Sequence, residues 1–344
     1  MWKNSKFVII LFFFLLVLGA SLFVKQHIEK QNSIQKVTSV KSADDFTDEE
    51  FLQIKNSFLK IVEEQNPGVA LAEMRERIKT DDALSRACHD LIHVIGHASY
   101  EKYRDFAKAL EYRDELCNSG YIHGVIESYF SETKDVLSAM KTVCNKYKQG
   151  SFLGWECYHG VGHGVMFYTN NDLPKALELC ASYGTSVAKS SCVNGVFMEN
   201  FNTMGDEHHT DYLKNDDLFF PCSEQSIDLK PDCYLYAPVH YLTFHKNDYI
   251  GALSFCETAE KEYVGSCISG LGSQAMKENI NNPLFVENIC NTSNNVPACI
   301  HGMMSLYINH FGSIEPATSL CSKLSLDNQA PCIKTVSQMK PMFL

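Results

Sequence analysis

Fourteen cysteines, all of them after residue 87, recur along the chain at a nearly constant spacing. When each is paired with its sequence neighbour, six of the pairs enclose 12, 11, 10, 10, 8 and 10 residues, and the first pair encloses 28. From Cys157 onward, the second cysteine of a pair recurs after 35, 41, 34, 32 and 33 residues. This period is typical of solenoids built from helix-turn-helix units. The chain is therefore predicted to be a series of helical hairpins.

The predicted disulfides join the end of one helix to the start of the next. Cysteines at these positions of a hairpin can reach the Cα separation of about 5.5–6 Å that a disulfide needs. Each closed loop of about ten residues would stabilise the fold by about 2–3 kcal/mol. Spacing alone leaves other pairings open. The predicted pairs are Cys88 with Cys117, Cys144 with Cys157, Cys180 with Cys192, Cys222 with Cys233, Cys256 with Cys267, Cys290 with Cys299, and Cys321 with Cys332.

A glycine follows the second cysteine by three residues in several units, as in Cys192-Val193-Asn194-Gly195. Glycine inside a helix costs about 1 kcal/mol relative to alanine, so its recurrence needs a reason. The absence of a side chain lets two helices approach closely. We expect these glycines to lie where neighbouring repeats pack.

The repeat pattern resembles a known class of helical repeats. Ala252-Leu253-Ser254-Phe255-Cys256 and Cys267-Ile268-Ser269-Gly270 are similar to the tetratricopeptide-related Sel-like repeats, and most of all to the secreted bacterial cysteine-rich ones. The resemblance covers about residues 105–340 and implies a right-handed solenoid with a groove that binds a protein or another ligand. The bridge partners are farther apart here than in that family, and its pattern contains no histidine motif. The resemblance therefore does not imply catalysis.

The fold class predicted for the body, residues 47–344, is all-α. No convincing strand pattern occurs, and Thr47-Asp48-Glu49-Glu50 supplies a capping box for the first amphipathic helix. The expected architecture is a solenoid or toroid of antiparallel helical hairpins stapled by disulfides, preceded by one N-terminal transmembrane helix.

The N-terminus predicts a membrane anchor. Residues 7–24 carry no charge, with Lys3 and Lys6 before them and Lys25 after them, so the run is long enough to span a bilayer. A cleaved signal peptide is the alternative, but Leu18 would then occupy a site that prefers a small residue. We expect residues 1–6 to be cytoplasmic and the polar residues 25–46 to be a tether. The cysteines place the body outside the cytoplasm, periplasmic or at the cell surface.

Charge excludes one class of partner. The net charge is −11, and acidic and basic residues are interspersed along the chain. Because no basic patch is evident, nucleic-acid binding is not expected.

Histidines recur in a motif that the cysteine repeat does not require. Cys157-Tyr158-His159-Gly160-Val161-Gly162-His163 places two imidazoles four residues apart, on one face of a helix. His93 and His97 repeat this spacing, and His123 is followed four residues later by Glu127. If the helices stack in parallel, the six side chains form a two-by-three array.

Imidazole nitrogens and carboxylate oxygens are the usual ligands of Zn, Fe and Cu. The array, His93, His97, His123, Glu127, His159 and His163, is therefore predicted to bind one or two transition-metal ions, with His89 as an additional or supporting ligand. Two other uses stay open: hydrogen bonding of buried histidines to the main chain, and another use of the imidazoles. The isolated His240, His245, His301 and His310 are expected to be ordinary core residues.

Two functions from different classes follow. The first is a membrane-anchored, extracytoplasmic repeat protein with a metal site. As an enzyme it would be a metal-dependent hydrolase or oxygenase in which Glu127 is the catalytic base or bridges the metals. The second is a non-enzymatic solenoid that binds an envelope protein, a peptide or a glycan in its groove. Metal capture without turnover is a third.

Overall fold

The structure of the protein is a computed structural model that describes residues 46–201 and 210–344. Within these ranges the chain forms seventeen α-helices and three short 3-10 helices, and no strand. The predicted all-α class is confirmed. None of the described helices is both long enough and apolar enough to cross a bilayer. The anchor predicted at residues 7–24 lies outside the described residues.

The first three helices precede the repeats and are α1 (Asp48–Glu64), α2 (Pro67–Arg77) and α3 (Asp82–Arg86). Eight longer helices then form a series: α4 (Cys88–Tyr103), α6 (Leu116–Glu132), α8 (Phe152–Tyr168), α10 (Ser186–Phe201), α11 (Lys230–Phe244), α13 (Val264–Glu278), α15 (Val296–Phe311) and α17 (Leu326–Met339). Shorter helices lie between them: α5 (Phe106–Ala109), α7 (Val136–Val143), α9 (Leu173–Ala181), α12 (Tyr249–Cys256), α14 (Pro283–Cys290) and α16 (Glu315–Cys321).

Polar N-caps start several of the helices, the predicted one at Thr47 among them. The capping box of Thr47 and Glu50 forms at α1, and Asn66 caps α2 just before Pro67. Further along the chain the same role is played by Asp135, Ser151, Asp172, Asp248 and Asn295, each of which accepts a hydrogen bond from a backbone N–H in the first turn of its helix. Such caps contribute about 1 kcal/mol each. They fix the points at which the chain reverses.

The long helices pack against one another in chain order, and each short helix packs on the long helices beside it. Glycines allow this close packing. A Cβ on Gly124 would overlap the carbonyl oxygen of His93, and one on Gly195 would overlap that of His159. Because contacts advance in the same direction along both members of a pair, neighbouring long helices run parallel. The predicted packing role of the recurrent glycines is confirmed.

All seven predicted disulfides form, with Cα separations of 5.3 to 5.9 Å. Six of them join the two arms of a hairpin. The seventh, Cys88–Cys117, is different because it joins the first turns of α4 and α6, two neighbouring long helices. All fourteen cysteines lie within the described residues and all are paired, which is typical of a protein that matures in an oxidising, extracytoplasmic compartment.

The series of helices closes on itself. α15 packs against α6, and the Asn281 side chain donates a hydrogen bond of 2.8 Å to Asp82 in α3. Phe343 stacks on Phe152, with ring centroids 4.8 Å apart. Of the two predicted architectures, these contacts favour the toroid over the open solenoid.

Candidate metal centre

Four successive long helices, α4, α6, α8 and α10, bring a set of polar side chains into one buried cluster. The set includes all six residues of the predicted array. We call it the histidine cluster, and its members are His89, His93, His97, His123, Glu127, Glu156, His159, His163 and Glu199.

The cluster forms because the spacing within each helix and the packing between helices agree. Residues four apart lie on one face of a helix, so His89, His93 and His97 point the same way from α4. The parallel neighbours α6 and α8 present His123, Glu127, His159 and His163 to that face, and glycines hold the backbones close together.

Solvent reaches the cluster from one side. The side chain of His97 is 24% exposed and that of His93 is 11% exposed, whereas those of Glu127 and His163 are 1% exposed. The ring of Phe167 lies edge-on to His97, with centroids 5.9 Å apart. The carboxyl-terminal ends of α4 and α8 therefore form the outer edge of the cluster.

His89 has one nitrogen fixed by the main chain. Its Nδ1 lies 2.8 Å from the carbonyl oxygen of Cys117. Because a carbonyl oxygen only accepts, Nδ1 must carry a proton, and the Nε2 atom of a neutral His89 has a free lone pair. That Nε2 lies 3.1 Å from Nε2 of His93.

His93 is constrained in the same way by a carboxylate. Its Nδ1 lies 3.2 Å from Oε2 of Glu127, the oxygen to which it is hydrogen-bonded, and 3.0 Å from Oε1. The same Oε2 lies 2.5 Å from Nε2 of His97. An ionised carboxylate only accepts, so Nδ1 of His93 is the donor. In the neutral ring Nε2 then has a lone pair, and it faces the lone pair of His89. Two lone pairs 3.1 Å apart repel unless they share a cation, either a proton or a metal ion.

A second pair of facing nitrogens lies in α8. Nε2 of His163 is 3.1 Å from Nε2 of His159, while Nδ1 of His163 donates to Oε2 of Glu199 at 2.6 Å. Nε2 of His159 also lies 3.3 Å from Sδ of Met198. A carboxylate that accepts from the remote nitrogen of an imidazole is the usual support of a metal-bound histidine.

His123 lies at the centre of the cluster. Its ring stacks on that of His163, with centroids 5.0 Å apart. In the part of the chain that the structure describes, neither of its nitrogens has a hydrogen bond, and the same is true of both carboxyl oxygens of Glu156. Nε2 of His123 lies 3.4 Å from Oε2 of Glu156. Unsatisfied buried polar atoms cost about 1–3 kcal/mol each, so this concentration of them requires an explanation.

The protonation states favour metal binding. Burial, with neighbouring imidazoles, holds the pKa of His89, His123 and His159 well below the usual value. Burial alone would raise the pKa of Glu127, but His93 and His97 outweigh it and hold this pKa well below the usual value. Neutral imidazoles and an ionised carboxylate are the forms that coordinate metals.

Glu156 behaves differently from Glu127. Burial, together with the charge of Glu115, raises the pKa of Glu156 well above its usual value. The protonated acid is therefore favoured at this position. Glu156 can donate a proton to a hydrogen bond, whereas Glu127 only accepts.

Two groups of side chains have ligand atoms close enough together to hold a metal ion, and His163 belongs to both. The first group is His89, His123 and His163, and the second is His93, Glu127 and His163. Within each group the ligand atoms all lie within 4.8 Å of one another. The buried cluster can thus hold a metal ion.

The sequence missed two carboxylates. Glu156 is three residues before His159, and Glu199 directly follows Met198, so neither has the four-residue spacing of the histidine motif. Their only signal was a charged residue within an apolar helix. His89 was predicted as an additional ligand, and its Nε2 faces His93.

The four isolated histidines differ in burial. His240 and His310 are buried, as expected, with 2% and 7% exposure. His245 and His301 are exposed, so the expectation that they are core residues is wrong. His245 directly follows α11, and His301 lies within α15 with its Nδ1 3.1 Å from Oγ1 of Thr335. None of the four belongs to the histidine cluster.

Comparisons of the chain with protein-family models, with curated proteins and with solved structures give no match. The similarity to Sel-like repeats therefore remains a prediction of architecture. The case for function depends on the chemistry of the histidine cluster.

Proposed function

We propose that this protein binds a transition-metal ion in the histidine cluster, in a disulfide-stapled helical body outside the cytoplasm. The observation that carries the proposal is the pair of facing nitrogens of His89 and His93. Their remote nitrogens are committed as donors to Cys117 and Glu127, so the two inner nitrogens, 3.1 Å apart, both offer lone pairs to one cation.

The donor set fits a transition metal. With metal–nitrogen bonds of about 2.0–2.1 Å, two ligands of one ion lie about 3 Å apart, close to the separations seen between facing nitrogens here. A metal ion would also satisfy one nitrogen of His123, whose nitrogens otherwise have no hydrogen bond among the described residues. Six imidazoles and only three carboxyl groups favour Zn, Cu or Fe over Mg or Ca.

The residues that would hold the ion are those of the predicted array with His89 added. His89, His123 and His163 form the group nearest the centre, with His93 and His159 facing them. Glu199 and the Cys117 carbonyl oxygen orient His163 and His89. A bound ion of this class supplies Lewis-acid or redox chemistry.

A reaction at the centre would take place at the outer edge, where His97 and His93 meet solvent. Glu127 is held there as a carboxylate by two imidazoles. We propose that it either contacts the metal ions or accepts a proton from the reacting group; its low pKa favours the first role. Hydrolysis and oxygen chemistry are the two reaction classes that this arrangement suits.

The body would be held at the outer surface of a membrane by residues 7–24, followed by the tether of residues 25–46. The uncharged run of residues supports this placement. Carbonate extraction of membranes tests it: the full chain should stay in the pellet, and release into the supernatant would contradict the anchor.

Elemental analysis tests the metal site. The full oxidised chain, purified without chelators, should contain near-stoichiometric Zn, Cu or Fe. The double variant His123→Ala/His159→Ala should fold, with no free thiols in denaturant, and contain clearly less metal than the wild type. His301→Ala, whose histidine is exposed and bonded to Thr335, should keep the metal.

The opposite result supports the alternative function. A wild-type chain that contains no metal, takes up none and melts at the same temperature with and without a chelator is a scaffold for a protein, peptide or glycan. A screen of the metal-loaded chain against ester, phosphoester and oxygen-dependent substrates separates an enzyme from a protein that captures metal without turnover.

A further inference from the structure

The histidine cluster has two chemically different sides. On one side the imidazoles of His89, His123 and His159 predominate, with a single carboxyl group, that of Glu156, 3.4 Å from Nε2 of His123. On the other lie the carboxylates of Glu127 and Glu199. Resting on the proposed function, we infer that the cluster has two cation positions, an imidazole position and a carboxylate position, with His93 and His163 between them.

His163 faces both sides. Its Nε2 lies 3.1 Å from Nε2 of His159, on the imidazole side. Its Nδ1 lies 2.6 Å from Oε2 of Glu199 and 3.7 Å from Oε1 of Glu127, on the carboxylate side. Once an ion at the carboxylate position displaces the Nδ1 proton to solvent, the ring offers one nitrogen to each position as a bridging imidazolate.

His93 has the same arrangement in the neighbouring helix. Its Nε2 lies 3.1 Å from Nε2 of His89, and its Nδ1 lies 3.0 Å from Oε1 of Glu127. The rings of His93 and His163 are 5.3 Å apart. Two rings from two helices thus divide the cluster along the same line.

The two groups of ligand atoms match this division. One group consists of His89, His123 and His163. The other consists of His93, Glu127 and His163. Glu199 adds a second carboxylate to the latter group through its contact with His163.

The carboxylate position needs positive charge to compensate its buried carboxyl groups. Glu127 and Glu199 are 1% and 2% exposed, and both contact His163. Two buried carboxyl groups are costly as anions unless cations compensate them. A divalent ion bound between them would supply that compensation, with the Nδ1 protons of His93 and His163 released to solvent.

The two positions would prefer different ions. An all-imidazole set suits Cu and Zn, whereas a set that contains carboxylates also suits Fe and Mn. The cluster would therefore take two ions from the first-row divalent metals, and a mixed pair is compatible with its two donor sets.

Copper titration of the chelator-treated, oxidised full chain provides the test. The wild-type chain should bind two Cu²⁺ ions by elemental analysis after desalting. Its integrated electron paramagnetic resonance intensity should fall below two spins per chain because the two ions are close and couple.

Matched variants remove one position at a time. Glu199→Gln and Glu127→Gln should each bind one Cu²⁺ with full single-spin intensity and nitrogen hyperfine structure from imidazoles. His123→Ala/His159→Ala should keep the ion of the carboxylate position. His163→Ala should weaken both, and His301→Ala should bind two.

The outcomes distinguish this inference from the proposed function. One Cu²⁺ per wild-type chain, lost equally in the carboxylate variants and in the double histidine variant, overturns the second position but supports a single metal site. Two magnetically independent ions, unaffected by Glu199→Gln and Glu127→Gln, also overturn it. No binding at all overturns the proposed function itself.

Discussion

The amino-terminal and carboxyl-terminal halves of the ring share one scaffold but differ in what it carries. In α10, Gly195 packs on the carbonyl oxygen of His159, and in α15, Gly302 packs in the same way on that of Ser269. Each half has its hairpin disulfides. Yet the His159 and His163 positions of α8 are Ser269 and Ser273 in α13. The repeat that builds the fold is therefore separable from the histidines that build the cluster.

A strained turn is a second difference between the halves. At the start of α6, Cys117, Asn118 and Ser119 have left-handed φ values of 51°, 59° and 55°, at a cost of about 1–2 kcal/mol per residue. The turn directs the Cys117 carbonyl oxygen toward His89, and the Cys88–Cys117 disulfide fastens it. The chain tolerates this strain where it positions a cluster residue.

Removal of the metal by a chelator should produce the largest difference between the two halves. At a metal concentration about 1,000 times the Kd, bound metal stabilises the fold by about 4 kcal/mol. Removing it should lower the free energy of unfolding by that amount. Hydrogen exchange should quicken in α4, α6 and α8 while α13 and α15 stay protected. Equal loss of protection in both halves would show that the metal does not act at the histidine cluster.

Replacing a packing glycine with alanine should lower stability equally in both halves. It should reduce the bound metal only in the amino-terminal half. Gly195→Ala and Gly302→Ala each force a Cβ into a backbone carbonyl oxygen, which should cost about 3 kcal/mol in chemical denaturation. Only Gly195→Ala displaces His159 and should reduce bound metal. Gly184→Ala is the control, because a Cβ there meets nothing within 4 Å. Unchanged stability of Gly302→Ala would refute the shared packing rule.

The scaffold was more predictable than the cluster because its signals are periodic. Cysteine spacing predicted all seven disulfides, and the four-residue motif predicted His159 and His163. Glu199 could not be predicted in this way, since it stands at a position that is Gly164 in the preceding repeat. Ring closure had no sequence signal either, because the contact of Asn281 with Asp82 joins residues 199 apart.

Disulfide removal should distinguish hairpin bridges from the bridge beside the cluster. The disulfides Cys180–Cys192 and Cys256–Cys267 close loops of similar length. The double variants Cys180→Ser/Cys192→Ser and Cys256→Ser/Cys267→Ser should therefore each lose about 2–3 kcal/mol of unfolding free energy, without direct loss of a metal ligand. Cys88→Ser/Cys117→Ser should also lower metal affinity, by about 10–100-fold, because the Cys117 carbonyl oxygen orients His89. Equal metal affinities in the three double variants, measured by competition with a chelator, would contradict that role.

The contribution of His310 to the pH dependence of stability should report on the carboxyl-terminal half alone. Burial lowers the pKa of His310 to about 4. Because the unfolded chain takes up this proton first, near its ordinary value of about 6.5, stability is present above that pH and is lost as pH falls toward 4. Between pH 7 and pH 5.5, the free energy of unfolding of His310→Leu should therefore fall by about 1 kcal/mol less than that of the wild type. Denaturant titrations with chelator present measure this difference. Parallel curves would place His310 in a solvated site.

X-ray absorption at the metal edge tests the central claim, that facing imidazole nitrogens share a metal ion. The full chain loaded with Zn²⁺ should show a first shell dominated by nitrogen at about 2.0–2.1 Å, with the outer-shell scattering of several imidazole rings. This scattering should weaken in His123→Ala/His159→Ala. A first shell of oxygen alone, identical in the wild type and the variant, would contradict the claim.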